Sequence, residues 1–393
     1  MKAGLTKNGR RMVFPLCLLL SAVFLLICTK SSFLYPLNDW VDANIYFTIG
    51  KGMMHGRVPY VDLYDQKGPS AFLLYGLCSL VSDTSFLGVY LAETLAFAFF
   101  LYAAYRILSL YTDRGALIAL PVLSAAILSS MSFSHGGSFE EFCMPLFAWS
   151  LYDTLRYFKT VYPKRAPLRM LFVNGLLAGW MLFGKFTLLA FYIAWMGVIA
   201  ISQFVIRDWK RAVFGSLTFV GAMLLVGVPW VLYFGVNGAL KDFFHYYFYQ
   251  NMFGYSYLDS PVLLNMLLAI GKDTLAFFYR NPQISLFIVL GVLYFTTRKR
   301  AEVRTVEKIN LWCLCVLLAA GIYCGGQGYR YYGLVLTPFM ILGFVPLLRF
   351  GNARFAERKS RRGVRTAAYA ALAALMLAAA LLVFISFHDL FAG

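Results

Sequence analysis

Charge is scarce in this sequence, and negative charge is scarcest: 18 Asp and Glu stand against 35 Lys and Arg in 393 residues. With 13% charged and 61% hydrophobic residues, the composition excludes an ordinary soluble domain. Histidine occurs only at 55, 135, 245 and 388, without HExxH spacing, so no zinc-hydrolase motif is present. The seven cysteines (17, 28, 78, 143, 313, 315, 324) form no CxxC and mostly sit in apolar runs, which favours buried thiols over a disulfide framework. No GxxxxGK[ST] occurs, which argues against ATP hydrolysis by this chain.

What the sequence has instead is a succession of apolar runs long enough to cross a bilayer. We read eleven spans, at about 12–29, 85–108, 115–133, 141–158, 170–184, 187–206, 212–235, 283–297, 309–324, 333–349 and 366–387. The fold class is therefore an all-α polytopic membrane protein. It forms one domain over 1–393, with extracytoplasmic segments at 30–84 and 236–282 and no separate soluble domain.

The net charge of +17 is placed by topology rather than by nucleic acid. Six clusters, beginning with Lys2, Lys7, Arg10 and Arg11 and ending with the basic run from Arg349 to Arg365, hold 26 of the 35 cations and fall in alternate loops. This positive-inside pattern puts the amino terminus in the cytoplasm and the carboxyl terminus outside the cell or inner membrane. Cys28, Thr29 and Lys30 offer no A-x-A-like cleavage site, so the first run reads as a retained span. Residues 170–206 have basic clusters at both ends and must contain a hairpin, with Lys185 at its outer tip.

Outer polarity gathers in four segments. In the first, Ile45, Ile49 and Met53 recur at helical spacing beside Asp42, Tyr46 and Lys51, the pattern of a helix lying on the membrane surface. Gly56 and Pro59 end that helix, and Pro69 opens a second that reaches about Val81, giving two juxtamembrane helices in the first outer loop. The others are "SHGGSFEEF" with Glu140 and Glu141, the aromatic "FFHYYFYQNMFGYSYLDSP", and "CGGQGYRYYG" with Arg330, Tyr331 and Tyr332. One shared outer cavity accounts for all four most economically.

The first segment carries G-x-x-P-Y-x-D-x-x-D-x-K-G-P from Gly56 to Pro69, with Asp42 ahead of Gly56, Pro59, Tyr60, Asp62, Asp65, Lys67, Gly68 and Pro69. This resembles bacterial membrane glycosyltransferases of the GT-C superfamily, relatives of protein O-mannosyltransferases and of the lipid A aminoarabinose transferase. "EEFCMPLFAWSLY", "KFTLL" and "YRYYGLVLTP" resemble later segments of that family in the expected order. Many relatives have a soluble domain after the last span, whereas this sequence ends six residues past it, so acceptor handling by such a domain is not expected. Relatives often carry His-Tyr where this chain has Arg330-Tyr331, which implies firmer phosphate binding.

The resemblance implies a polyprenyl-phosphate-linked sugar donor and transfer with inversion to a glycan, lipid or protein acceptor on the outer face. It calls for a carboxylate to take the acceptor proton and for cations on the leaving phosphate. Asp42 is the expected base, Lys67, Lys185 and Arg330 the expected phosphate ligands, and Asp65, Glu140, Glu141, Tyr331 and Tyr332 the expected substrate contacts. No cofactor is required by the sequence, though a divalent metal is compatible with it. Simpler roles stay open: Asp42 as a helix cap, Asp62 as a turn residue, Lys185 snorkelling to headgroups, Glu140 and Glu141 as helix-start carboxylates. Two other functions compete, a transporter or flippase of a lipid-linked or anionic solute and a polymerase or ligase of lipid-linked glycans. A transporter would place its ionisable residues near mid-membrane.

Overall fold

The computed structural model describes residues 11–254 and 263–357, so the expected last span at 366–387 lies outside the described residues. Within them the chain is helical throughout, with one isolated bridge between Pro59 and Leu63. This is the outcome expected where backbone groups must satisfy themselves within the segment.

Five helical stretches are long and apolar enough to cross a membrane: Leu87–Tyr111, Phe186–Val205, Trp209–Val236, Thr305–Tyr323 and Arg330–Ala353. Leu263–Arg280 and Pro282–Thr297 would add a sixth, but they meet at 112°. Val13–Cys28, Ala116–Leu128 and Leu168–Leu182 are apolar but shorter. Most of the expected runs thus correspond to helices, while the described residues support five or six full-length spans rather than eleven. Phe139–Arg156, expected as a span, carries Glu140, Glu141, Asp153 and Arg156 within its 18 residues. The Arg330–Ala353 stretch is built partly of 3-10 turns, at Arg330–Leu336 and Ile341–Gly343.

The two helices expected within residues 30–84 are present as Val41–Met54 and Pro69–Ser79. They pack directly on one another at Gly50 and Gly76, where a Cβ on Gly50 would fall 2.5 Å from the Phe72 carbonyl oxygen. Only hydrogen side chains allow that approach. Pro69–Ser79 is largely buried, so this segment is inside the protein and not merely on its surface. The aromatic segment is also more structured than a loop. A π-helical turn ends at Gly254, and the helix Leu263–Arg280 is strongly one-sided, exposing Leu263, Leu264, Leu267 and Leu268.

One pair of backbone hydrogen bonds sets the position of the site. The Gly68 amide donates to the Gly184 carbonyl at 2.8 Å, and the Ser70 amide to the Phe183 carbonyl at 2.9 Å. The loop that carries Lys67 is thereby clipped to the hairpin that carries Lys185. All seven cysteines are free, and Cys17, Cys28, Cys78 and Cys143 are buried in apolar surroundings.

Candidate active site

Asp42 lies in the first turn of Val41–Met54 but caps nothing. Trp40 occupies the cap position, and no side chain bonds to the free amides there. Instead, Asp42 Oδ2 accepts from the Tyr331 hydroxyl at 2.7 Å and from the Tyr46 hydroxyl at 3.2 Å. Tyr46 stands four residues after Asp42, one helical turn along the same face, so the helix itself supplies one of the two donors. Two donors fix the carboxylate in orientation while it remains half-buried.

Lys67 and Lys185 do not reach out to headgroups; they are 8% and 9% exposed. Both donate to one oxygen of Glu140, Lys67 Nζ at 3.2 Å and Lys185 Nζ at 2.6 Å from Oε1. The other oxygen, Glu140 Oε2, is buried and has no hydrogen-bond partner. Aromatic faces complete the surroundings. Lys185 Nζ is 2.9 Å from the Tyr332 ring centroid, and Lys67 Nζ is 5.6 to 5.7 Å from the rings of Tyr331, Tyr46 and Tyr332.

The two ammonium groups differ in their hold on a proton. Burial works against the charge on Lys67, but Glu140, Asp42 and Asp65 outweigh it and hold its pKa above the ordinary lysine value. Burial dominates at Lys185 and, with the repulsion of Lys67, lowers it to about 7 against the pull of Glu140. Asp65 is pushed up by burial; its Oδ1 accepts from the Lys67 backbone amide at 2.9 Å, which shapes the turn. Asp62 plays the turn role foreseen for it, accepting from the Val58 amide at 2.7 Å.

Asp42, Asp65, Lys67, Lys185, Tyr331 and Tyr332 all line one cavity of about 720 Å³. Of the other three expected site residues, Glu140 is fully buried on the two lysines and does not line the cavity, and two lie elsewhere. Arg330 is exposed and lines a separate pocket of about 270 Å³ with Trp40, His135 and Tyr331. Glu141 points away from the cavity into a buried cluster, where its Oε2 accepts from the Gly137 amide at 3.1 Å. The same amide donates to Glu93, whose two oxygens also accept from Thr29 Oγ1 at 3.0 Å. Gly136 and Gly137 both adopt positive φ, +74° and +72°, and this glycine-only turn aims the amide at the two acids. Among the described residues, no three His, Cys, Asp or Glu side chains gather as a metal site.

No family model and no curated protein sequence matches the chain. Solved structures do. ArnT from Cupriavidus metallidurans, bound to undecaprenyl phosphate, superposes with a TM-score of 0.57 at 14% identity over 99% of this chain and 73% of that one. The chain therefore shares its fold with ArnT. The archaeal oligosaccharyltransferase AglB from Archaeoglobus fulgidus, in complex with an inhibitory peptide and a dolichol-phosphate, aligns more loosely. Its TM-score is 0.49 at 12% identity, over 96% of this chain and 56% of that one.

Within this ArnT-like fold, three residues have contacts that the sequence does not announce as part of a site. Tyr46 was visible as the i+4 partner of Asp42 but was given no role. Glu93 was visible as the one acid in the apolar run Leu87–Tyr111, a signal that an intramembrane carboxyl has a defined partner. Tyr75, whose hydroxyl donates to the Gly137 carbonyl, gave no sequence signal at all.

Proposed function

We propose that this protein transfers a sugar from a polyprenyl-phosphate-linked donor to an acceptor hydroxyl at the extracytoplasmic face of the membrane, with inversion. The observation that carries the reading is the sharing of one cavity by a fixed carboxylate, Asp42, and two buried lysines, Lys67 and Lys185. The likeness to ArnT, a structure with undecaprenyl phosphate bound, supports a lipid phosphate as the ligand of those lysines.

The chemistry is a single displacement. Asp42 takes the proton of the acceptor hydroxyl as its oxygen bonds to the anomeric carbon, while the bond from that carbon to the phosphate oxygen breaks. The phosphate leaves with the electron pair and gains negative charge, which Lys67 and Lys185 stabilise in a site with little water. Attack opposite to departure inverts the sugar centre. The Tyr331 and Tyr46 hydroxyls hold the carboxylate aimed, and the Tyr332 ring limits where the Lys185 ammonium can sit.

Reconstituted protein should convert a polyprenyl-phosphate sugar to polyprenyl phosphate with label appearing on an acceptor. Uptake of label into the vesicle lumen without consumption of the donor would favour the transporter reading and rule out this one.

A further inference from the structure

The pocket that holds Arg330 abuts the main cavity, and Trp40, Tyr329 and Tyr331 line both. Trp40 meets Tyr331 edge to face at 5.0 Å and Tyr329 stacks on Tyr331 at 5.8 Å, so a wall of three aromatic rings divides the spaces. Tyr331, part of that wall, also holds Asp42 by its hydroxyl. The base thus stands against the partition, with both lysines in the main cavity.

The smaller pocket is electropositive. Arg330 makes no ion pair among the described residues, and its backbone is pinned by Ser132 Oγ, which donates to the Arg330 carbonyl at 2.8 Å. The His135 ring shares a 2.7 Å hydrogen bond with Ser134 Oγ and lies 3.8 Å from Asp39. That carboxylate is already matched by Lys30, which donates to both of its oxygens at 3.0 Å. Arg330 and His135 therefore face a space of about 270 Å³ with no carboxylate in its lining. Such a space fits a phosphate on a short stem but not an isoprenoid chain.

We propose that this pocket receives a phosphate group carried by the acceptor, with Arg330 as its main ligand. The inference rests on the transfer reading above and deepens it. In an inverting displacement the acceptor arrives opposite the leaving phosphate, hence from the Asp42 and Tyr331 side, and Arg330 lies just beyond that wall. Arginine is the side chain best shaped for two-point phosphate recognition. The cavity lysines then hold one phosphate and Arg330 another, so donor and acceptor are sorted before reaction.

The test uses the full chain in nanodiscs of zwitterionic phosphatidylcholine, with glycerol phosphate as the probe and saturation-transfer NMR as the readout. Arg330→Ala should weaken glycerol phosphate about tenfold and Arg330→Lys by only a few-fold. Undecaprenyl phosphate should bind Arg330→Ala as it binds wild type, and bind Lys67→Ala and Lys185→Ala more weakly. Nanodiscs of anionic phosphatidylglycerol separate the sources: a lipid headgroup in the pocket competes with glycerol phosphate, whereas a soluble acceptor phosphate is unaffected by the disc lipid. The proposal is overturned if wild type fails to bind glycerol phosphate at tens of millimolar, or if Arg330→Ala binds it equally well. It is also overturned if the probe is lost with the lysines rather than with Arg330. Undecaprenyl phosphate binding that ignores both lysines counts against the transfer reading and leaves the Arg330 result to stand by itself.

Discussion

The Tyr331 hydroxyl donates to Asp42 Oδ2 at 2.7 Å across 289 residues of sequence. The candidate base is thus held from the other half of the chain, by a residue that also lines the cavity. Asp42→Asn keeps the shape and both tyrosine contacts but cannot take a proton. It should lower the transfer rate by at least about a hundredfold with an unchanged melting temperature, and Tyr331→Phe by roughly tenfold. Release of polyprenyl phosphate gives the rates, and an Asn variant as fast as wild type would remove Asp42 from the mechanism.

In the proposed reaction, Lys185 should make donor binding depend on pH. Its pKa, lowered to about 7, leaves it protonated below that value and neutral above it. Affinity for a polyprenyl phosphodiester, whose own charge is constant over this range, should therefore fall as pH rises from 6 to 8.5. Lys67, held charged by its acidic neighbours against the cost of burial, keeps the loss partial. Lys185→Arg, which does not titrate there, should flatten the curve; a curve that keeps its slope in that variant assigns the titration elsewhere.

Glu140 is the shared counter-charge of two buried lysines. Glu140→Gln leaves them facing each other without it, and breaking a buried pair costs about 3–5 kcal/mol. The variant should melt earlier, and a bound lipid phosphate should restore its melting temperature by more than it raises that of wild type. Equal shifts in the two proteins would show that Glu140 and phosphate do not compete for the same ammonium groups.

Orientation follows from the charge pattern alone and can be measured directly. In a background without native cysteines, Val61→Cys and Lys164→Cys, both at exposed positions, should label from opposite sides with a membrane-impermeant maleimide. Labelling from the same side would break the positive-inside assignment on which the outer cavity depends.

The parts of the site legible in the sequence were those carried by local pattern. The helix Val41–Met54 announced itself by apolar residues at helical spacing, and Pro69 marked the start of the next helix. Partnership was not legible. Glu140 and Glu141 are adjacent in sequence, yet successive helical residues point about 100° apart. One therefore reaches the lysines of the cavity and the other the Glu93 cluster behind it. Nothing short of the packing of Phe139–Arg156 against its neighbours could separate their roles. Arg330 shows the same limit, since the 3-10 turn at Arg330–Leu336 turns it to the far side of Tyr331 from the lysines it was grouped with. The described residues do not confirm the count of eleven spans for a related reason: apolar runs measure hydrophobicity, whereas the 112° corner between Arg280 and Pro282 is a matter of geometry.

The Lys67–Glu140–Lys185 arrangement has a consequence for turnover. A phosphodiester donor brings one negative charge to the lysines, while the phosphate monoester left after transfer carries up to two at neutral pH. In the proposed transfer, fixed positive charge that favours departure would also retain what has departed, so the spent lipid should bind more tightly than the fresh donor. The slow event in the cycle would then be escape of the carrier into the bilayer. In that event Glu140, with one oxygen already on both ammonium groups, is placed to take the phosphate's position as it leaves.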